Sequence, residues 1–268
     1  MSRTLFLGDS HASGYYRDDT GKIQIWQDNS YAEAYSKIHD KDVIVYAIPG
    51  GCNKKYPIWL KSMLNRYDDI DEVFVQSTYW NRWLMAASRD LGYGDGTPTD
   101  MFIDDDIEDT GKVKHYSDIR VTENFIELVE QVRPELYEEF KGFTYNEKET
   151  TADWEPFHKK YPYTKLWYES QTHLQYRDYC GDLYIIDNLC RSNNIKWYLW
   201  NINDRVYMPE NINLFGDLSC KRAATSARSF IKSKYGLDID KRTIDGEHYA
   251  KDIHRIIAKE YIEELKNG

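Results

Sequence analysis

Cysteine is scarce. The chain holds four thiols in 268 residues, Cys52, Cys180, Cys190 and Cys220, with no CxxC pair among them. That density excludes a disulfide framework and makes a reducing compartment the expectation. Metal-ligand spacing is missing too. None of the seven histidines forms an HxH or HxxxH pair, so no metal site is expected. Long apolar runs are absent: nothing approaches the ~18 residues of a membrane span, and no apolar leader precedes Gly8 and Asp9. Basic charge is in deficit, with 35 Lys+Arg against 45 Asp+Glu and a formal net charge of −10. This excludes the phosphate-neutralising surface of a non-specific nucleic-acid binder. No Gly/Ser/Pro-rich linker or internal repeat divides the chain. These absences predict one domain over residues 1–268, cytoplasmic, without a membrane span or a nucleic-acid partner. They are equally compatible with a viral or virion-associated setting, and they leave the oligomeric state open.

What is present is aromatic. Tyr, Trp and Phe make up 15% of the chain, with 23 Tyr and 8 Trp, a composition that builds a core rather than a disordered segment. Short apolar, β-branched runs at Thr4–Leu7, Asp42–Ile48, Glu72–Ser77 and Lys196–Ile202 read as buried strands. Between and after them lie helical stretches. Ser30-Tyr31-Ala32-Glu33 is a capping box that opens a helix over 31–38, and further helices are expected near 171–192, 219–234 and 246–266. Buried strands alternating with helices predict a three-layer α/β/α sandwich around a mainly parallel sheet of about five strands. Residues 84–165 break the rhythm and are expected as an inserted helical and aromatic cap. That segment contains an acidic loop (Asp104, Asp105, Asp106, Glu108, Asp109), a helix near 122–140 and an aromatic tract over 154–168.

Four pieces of chemistry-bearing sequence follow the strand ends or sit near the C-terminus. They are Gly8-Asp9-Ser10, Pro49-Gly50-Gly51-Cys52-Asn53, Thr78-Tyr79-Trp80-Asn81 and Asp245-Gly246-Glu247-His248. A serine hydrolase needs a hydroxyl nucleophile, an imidazole base, a carboxylate to orient it, and donors for the oxyanion. Ser10, His248 and Asp245 fit the first three roles. The Ser10 N–H, the Gly50 N–H (or that of Gly51 beside it) and the Asn81 amide fit the last. If Asp245 and His248 open the last helix, their spacing of three puts them on one face. Asp9 is expected to bond the backbone of its own turn. His254 is a weaker candidate for the base and is expected as a surface or partly buried helix residue.

These four blocks resemble those of the SGNH (GDSL-like) hydrolases. That family supplies a serine in an N-terminal Gly-Asp-Ser turn, a glycine after the second strand, an asparagine after the third, and Asp-x-x-His near the C-terminus. The blocks occur here in family order as Phe6-Leu7-Gly8-Asp9-Ser10, Gly50, Asn81 and Asp245-x-x-His248. The third block departs from the usual Gly-x-Asn-Asp, since Thr78 or Tyr79 stands at the glycine and Arg82 replaces the aspartate. The resemblance implies an SGNH-like fold and a serine esterase without a cofactor, acting on a small acyl ester or an acetylated glycan. The aromatic tract favours the glycan, because aromatic faces stack on sugar rings. Two other readings use the same parts: an acyltransferase with the same triad, and a non-catalytic glycan-binding module on a retained hydrolase fold.

Overall fold

The computed structural model describes residues 2–17, 23–25, 30–47, 53–78, 108–109, 112–116, 162–203, 217–244 and 248–268. Strand β1 (Arg3–Gly8) is apolar on both sides, with Leu5 and Leu7 facing one way and Phe6 the other. A strand covered from both faces requires that pattern. In chain order there follow α1 (Ser10–Ser13), the antiparallel pair β2 (Tyr15–Arg17) and β3 (Ile23–Ile25), α2 (Tyr31–His39), β4 (Asp42–Ala47), α3 (Tyr56–Arg66) and β5 (Ile70–Ser77). Next come β6 (Glu108–Asp109), β7 (Val113–Tyr116), α4 (Pro162–Ser192), β8 (Lys196–Asn201), β9 (Lys221–Arg222) and α5 (Ala227–Tyr235). The chain closes with α6 (Lys251–Ile256), a π-helical turn (Ile257–Tyr261) and α7 (Ile262–Asn267).

The main sheet has seven strands in the order β6-β7-β4-β1-β5-β8-β9. Six are parallel, and only β6 runs antiparallel to its neighbour β7. Strand β1 is central. Its Gly8 pairs with Ala47 of β4, and Ser77 of β5 pairs with Asn201 of β8, so the C-terminal ends of the central strands finish nearly level. Helices cover both faces. On one side α2, α5, α6, the π turn and α7 pack on Phe6, Val45, Phe74, Tyr198 and Trp200. On the other, α3 and α4 pack on Leu7, Ile44, Val73, Val75 and Leu199. The result is three layers, α/β/α.

Aromatic side chains join the strands on the first face. Phe6 stacks on Phe74 (4.9 Å between ring centroids) and Phe74 on Tyr198 (4.6 Å), one ring each from β1, β5 and β8. Tyr31 and Tyr35 of α2 meet Phe6 edge-on at 5.6 and 5.3 Å. Offset and edge-to-face contacts of this kind add ~0.5–1.5 kcal/mol each beyond area burial.

The sheet has seven strands where about five were expected, and β7 falls in the segment expected as a cap. The helix expected from about residue 171 begins at Pro162, and three further elements differ from the sequence expectation. Glu108 and Asp109, read as part of a solvated acidic loop, form β6 and pair with His115 and Lys114 of β7, so both strands extend the sheet. The stretch expected as one helix over 219–234 begins instead as β9, paired with β8, and the helix starts only after Ser226, whose Oγ accepts from the Ser229 N–H. The last helix begins at Lys251 rather than at residue 246. Its π turn absorbs one extra residue, which lets the adjacent Tyr261 and Ile262 both face the core. The helix expected near 122–140 lies outside the described residues.

A candidate active site at the strand C-termini

The site begins where β1 ends. Asp9 leaves the strand in extended conformation and caps α1, its Oδ1 accepting from the His11 N–H at 3.1 Å. The Asp9 main-chain oxygen accepts from the Ala12 N–H at 3.0 Å. Asp9 is thus a turn-building residue, as its position suggests. Ser10 is the first residue of α1 and is half-buried. Gly14 ends the four-residue helix at φ 73°, a left-handed conformation that glycine adopts without strain, and donates back to the Ser10 carbonyl.

Gly8 is needed for a different reason. A Cβ there would stand 2.7 Å from Ala12 Cβ and 2.9 Å from both Gln76 Oε1 and Tyr31 Oη. Beneath it runs a buried polar chain. The Tyr31 hydroxyl donates to Gln76 Oε1 at 2.5 Å, and Gln76 Nε2 donates to Asp9 Oδ1 at 2.9 Å. Burial above all, then the charge of Asp9 and the Tyr56 phenol, push the Tyr31 phenol well above its ordinary range, so it stays protonated and remains a donor.

His248 arrives from the other end of the chain. It lies in a loop closed by the antiparallel bridge between Thr243 and Tyr249 and by the Ile244 N–H donating to the His248 carbonyl at 2.8 Å. The expectation that Asp245 and His248 open the last helix is therefore corrected. His248 precedes α6, whose N-cap is Ala250, and the ends of its loop meet by strand-like pairing instead.

The residue after Ser10 bridges the two parts. The His11 ring stacks on Tyr249 at 4.7 Å and meets the His248 ring at 5.5 Å. The structure therefore brings the Ser10 turn and the His248 loop to one place at the C-terminal end of β1. Open α/β sheets put their ligands in that position. Asp245, Gly50 and Asn81 lie outside the described residues, as do Gly51 and the start of the aromatic tract.

Behind His11 sits a third imidazole, His254 of α6, 6.0 Å from the His11 ring and 6.1 Å from that of Tyr31. It was expected at the surface or partly buried, and it is buried. Its burial first, and the neighbouring His11 and His248 next, hold its pKa well below the usual imidazole value, against a hydrogen bond to the Tyr249 main chain that pulls the other way. Among the described residues its Nδ1 meets no hydrogen-bond partner. His254 is neutral.

Two site-lining residues carried no assigned role in the sequence. Gln76 is an amide that ends the apolar run Val73-Phe74-Val75 of β5, and that interruption was its only signal. Asn53 closes the second block: its Nδ2 donates to the Thr78 carbonyl and its Oδ1 accepts from the Thr78 N–H, both at 2.9 Å. This two-point contact ties the segment after β4 to the end of β5, next to the blocks that hold Gly50 and Asn81.

Other chemistry is weaker. Cys180 and Cys190 are buried and Cys220 half-buried. Burial drives the Cys190 thiol upward and pushes that of Cys220 up to about 12, so neither ionises near neutral pH. Among the described residues, no group of three His, Cys, Asp or Glu side chains is arranged to hold a metal ion. No described helix is long and apolar enough to cross a membrane. Comparison of the chain with family models, curated proteins and solved structures returns no match.

Proposed function

We propose that the protein is an SGNH-like serine hydrolase that cleaves a small carboxylic ester, an O-acetyl group on a glycan among the candidates. One observation carries the reading. Ser10 and His248, 238 positions apart in sequence, belong to segments whose rings meet at 5.5 Å through His11, at the C-terminal end of the central parallel strand.

In this reading His248 takes the Ser10 hydroxyl proton as Oγ bonds to the acyl carbon. The oxyanion is held by the Ser10 N–H with, from the neighbouring blocks, the Gly50 N–H and the Asn81 amide. The alcohol leaves with the proton from His248. Water, deprotonated by the same imidazole, then releases the carboxylic acid and restores Ser10. Asp245 orients the imidazole, the role that the resemblance of the Asp-x-x-His block implies for it. The thiols of Cys190 and Cys220, which burial keeps protonated, support a hydroxyl nucleophile, because neither sulfur competes with it. The cap of Asp9 on α1 supports it further by fixing the backbone on which Ser10 stands.

The test is covalent labelling with a fluorophosphonate probe, which reacts with an activated serine whatever the natural ester. Wild-type protein is expected to carry the phosphonyl group on Ser10, mapped by peptide mass spectrometry, and to hydrolyse p-nitrophenyl acetate. Ser10→Ala is expected to remain folded and to lose ~10⁴–10⁶ in kcat. More than about a tenth of wild-type turnover in Ser10→Ala, against that expected loss, would sink the assignment.

A further inference from the structure

We propose that Gln76 is a positioning residue for the nucleophile, with the buried chain Tyr31–Gln76–Asp9 holding the carboxylate that caps α1 and thereby setting where Ser10 stands. The proposal rests on the ester-hydrolase reading above.

The geometry is directional at every link. Gln76 lies on β5, next to the end of β1, and is 2% exposed; Tyr31 is fully buried and Asp9 is 8% exposed. Oε1 of an amide only accepts and Nε2 only donates. The Tyr31 O–H therefore fixes which way the amide faces, and the NH₂ must point at Asp9. Tyr56 donates its hydroxyl to the Gln76 main-chain oxygen at 2.9 Å, which pins the backbone of the same residue. Asp9 Oδ1 then collects two N–H donors, one from β5 and one from the α1 backbone at His11. Rotation of this carboxylate would break the cap. No slack exists above it, because Gly8 already passes too close to Gln76 and Tyr31 for a Cβ.

Stability alone does not call for this arrangement. Apolar side chains of similar volume at positions 31 and 76 would fill the same space without burying a hydroxyl and an amide. Replacing buried polar groups by well-packed apolar ones is often neutral or stabilising. What the polar chain adds is a fixed orientation at its end, and that end is the residue before Ser10. A small displacement of a reacting group costs on the order of 10²-fold in rate.

The experiment uses the full chain as wild type, Gln76→Leu and Gln76→Glu. The fluorophosphonate labelling rate of Ser10 is measured at about pH 5.5 and about pH 8.5, with circular dichroism confirming folded protein in each sample. Each variant is read as a ratio to wild type at the same pH. Gln76→Leu is expected to label at least about tenfold more slowly at both values. Gln76→Glu is the sharper probe. At about pH 5.5 the introduced carboxyl, protonated beside Asp9, accepts from Tyr31 and donates to Asp9 as the amide does, and labelling is expected within about twofold of wild type. At about pH 8.5 two adjacent carboxylates repel, the cap opens, and labelling is expected at least about tenfold slower. If Gln76→Leu does not fold, the pH ratio of the near-isosteric Gln76→Glu decides alone. A folded Gln76→Glu labelled at the wild-type rate at both pH values overturns the proposal. A wild-type chain that is not labelled at Ser10 removes the hydrolase reading and this one with it, whereas a labelled wild type with indifferent variants removes only this one.

Discussion

His254 shows how much a single residue's role depends on what packs around it. Its sequence neighbourhood, a helix with Asp252 and Arg255 beside it, suggests exposure. In the fold the ring is enclosed by His11 of α1, Tyr31 of α2, and His248 and Tyr249 of the preceding loop. Those neighbours come from three separate parts of the chain, and no local pattern announces them. The consequence for stability has a definite sign. The folded-state pKa of His254 lies below the ordinary value of ~6.5, so the unfolded chain binds the extra proton. The contribution of this group is therefore complete above about pH 6.5 and is lost as pH falls below it, at up to about 1.4 kcal/mol per pH unit for one proton. His254→Leu is expected to flatten the melting temperature between about pH 7 and about pH 5 relative to wild type. Parallel curves for the two proteins would assign that acid sensitivity elsewhere. Asp9, by contrast, was legible as a turn residue because the hydrogen bond that caps α1 reaches only two positions along the chain.

At the scale of elements, legibility follows how local the cause is. The serine cap of α2 appears as read: Ser30 Oγ accepts from the Glu33 N–H at 3.0 Å, and α2 runs from Tyr31 to His39. Ser30→Ala is expected to cost ~1 kcal/mol, seen as a lower denaturant midpoint with an unchanged slope. A change in the slope itself would mean that the substitution altered more than the cap. Strands β1, β4, β5 and β8 were readable because each is a continuous apolar run buried on both faces. Strands β6 and β9 were not, since Glu108-Asp109 and Lys221-Arg222 are charged pairs whose extended form comes from the neighbouring strand rather than from their own composition. The start of α6 was misplaced for a related reason. Gly246 and Glu247 are acceptable in a first helical turn, but the bridge between Thr243 and Tyr249 pulls His248 into a loop. The sequence thus offers the blocks of the candidate site, whereas the contacts of His11 with Tyr249 and of Gln76 with Asp9 depend on tertiary approach.

Across the whole molecule, the end of the sheet opposite Ser10 is held by charge. Glu72, buried near the start of β5, accepts from Lys41 Nζ at 3.0 Å and from the Tyr35 hydroxyl at 3.1 Å, and lies 3.2 Å from Lys266 Nζ of α7. Burial pushes its carboxyl up, but the hydrogen bond with Lys41 and the charges of Lys266 and Lys41 outweigh that and hold it below its ordinary value. Asp187 is held low in the same way: burial is outweighed by Ser219, Trp197 and Arg191. For a carboxylate the sign places this stability above the unfolded value, ~4 for both residues, and removes it as pH falls through the folded value. Acid unfolding should therefore show two legs, one below about pH 6.5 from His254 and a second below about pH 4 from these carboxylates. Glu72→Gln keeps the shape of the side chain and is expected to lower stability at neutral pH by ~1–3 kcal/mol while shrinking only the second leg. Equal loss of both legs in that variant would show that the two ends of the sheet do not unfold through separate protonations.

The contact between Lys266 and Tyr35, 231 positions apart in sequence, also bears on how the chain is made. Helix α2 and strands β1, β4 and β5 all lie within the first 77 residues, yet the face they share is completed by α6, the π turn and α7. During synthesis this face, with α2 alone among its helices already made, must wait for the rest of its cover until residue 266 has been translated. At ~5–20 residues per second the interval between residues 77 and 266 is on the order of ten to forty seconds. Through that time the nascent chain presents an aromatic sheet face to the cell, and its demand for a chaperone falls on the ribosome-bound stage rather than on the finished protein.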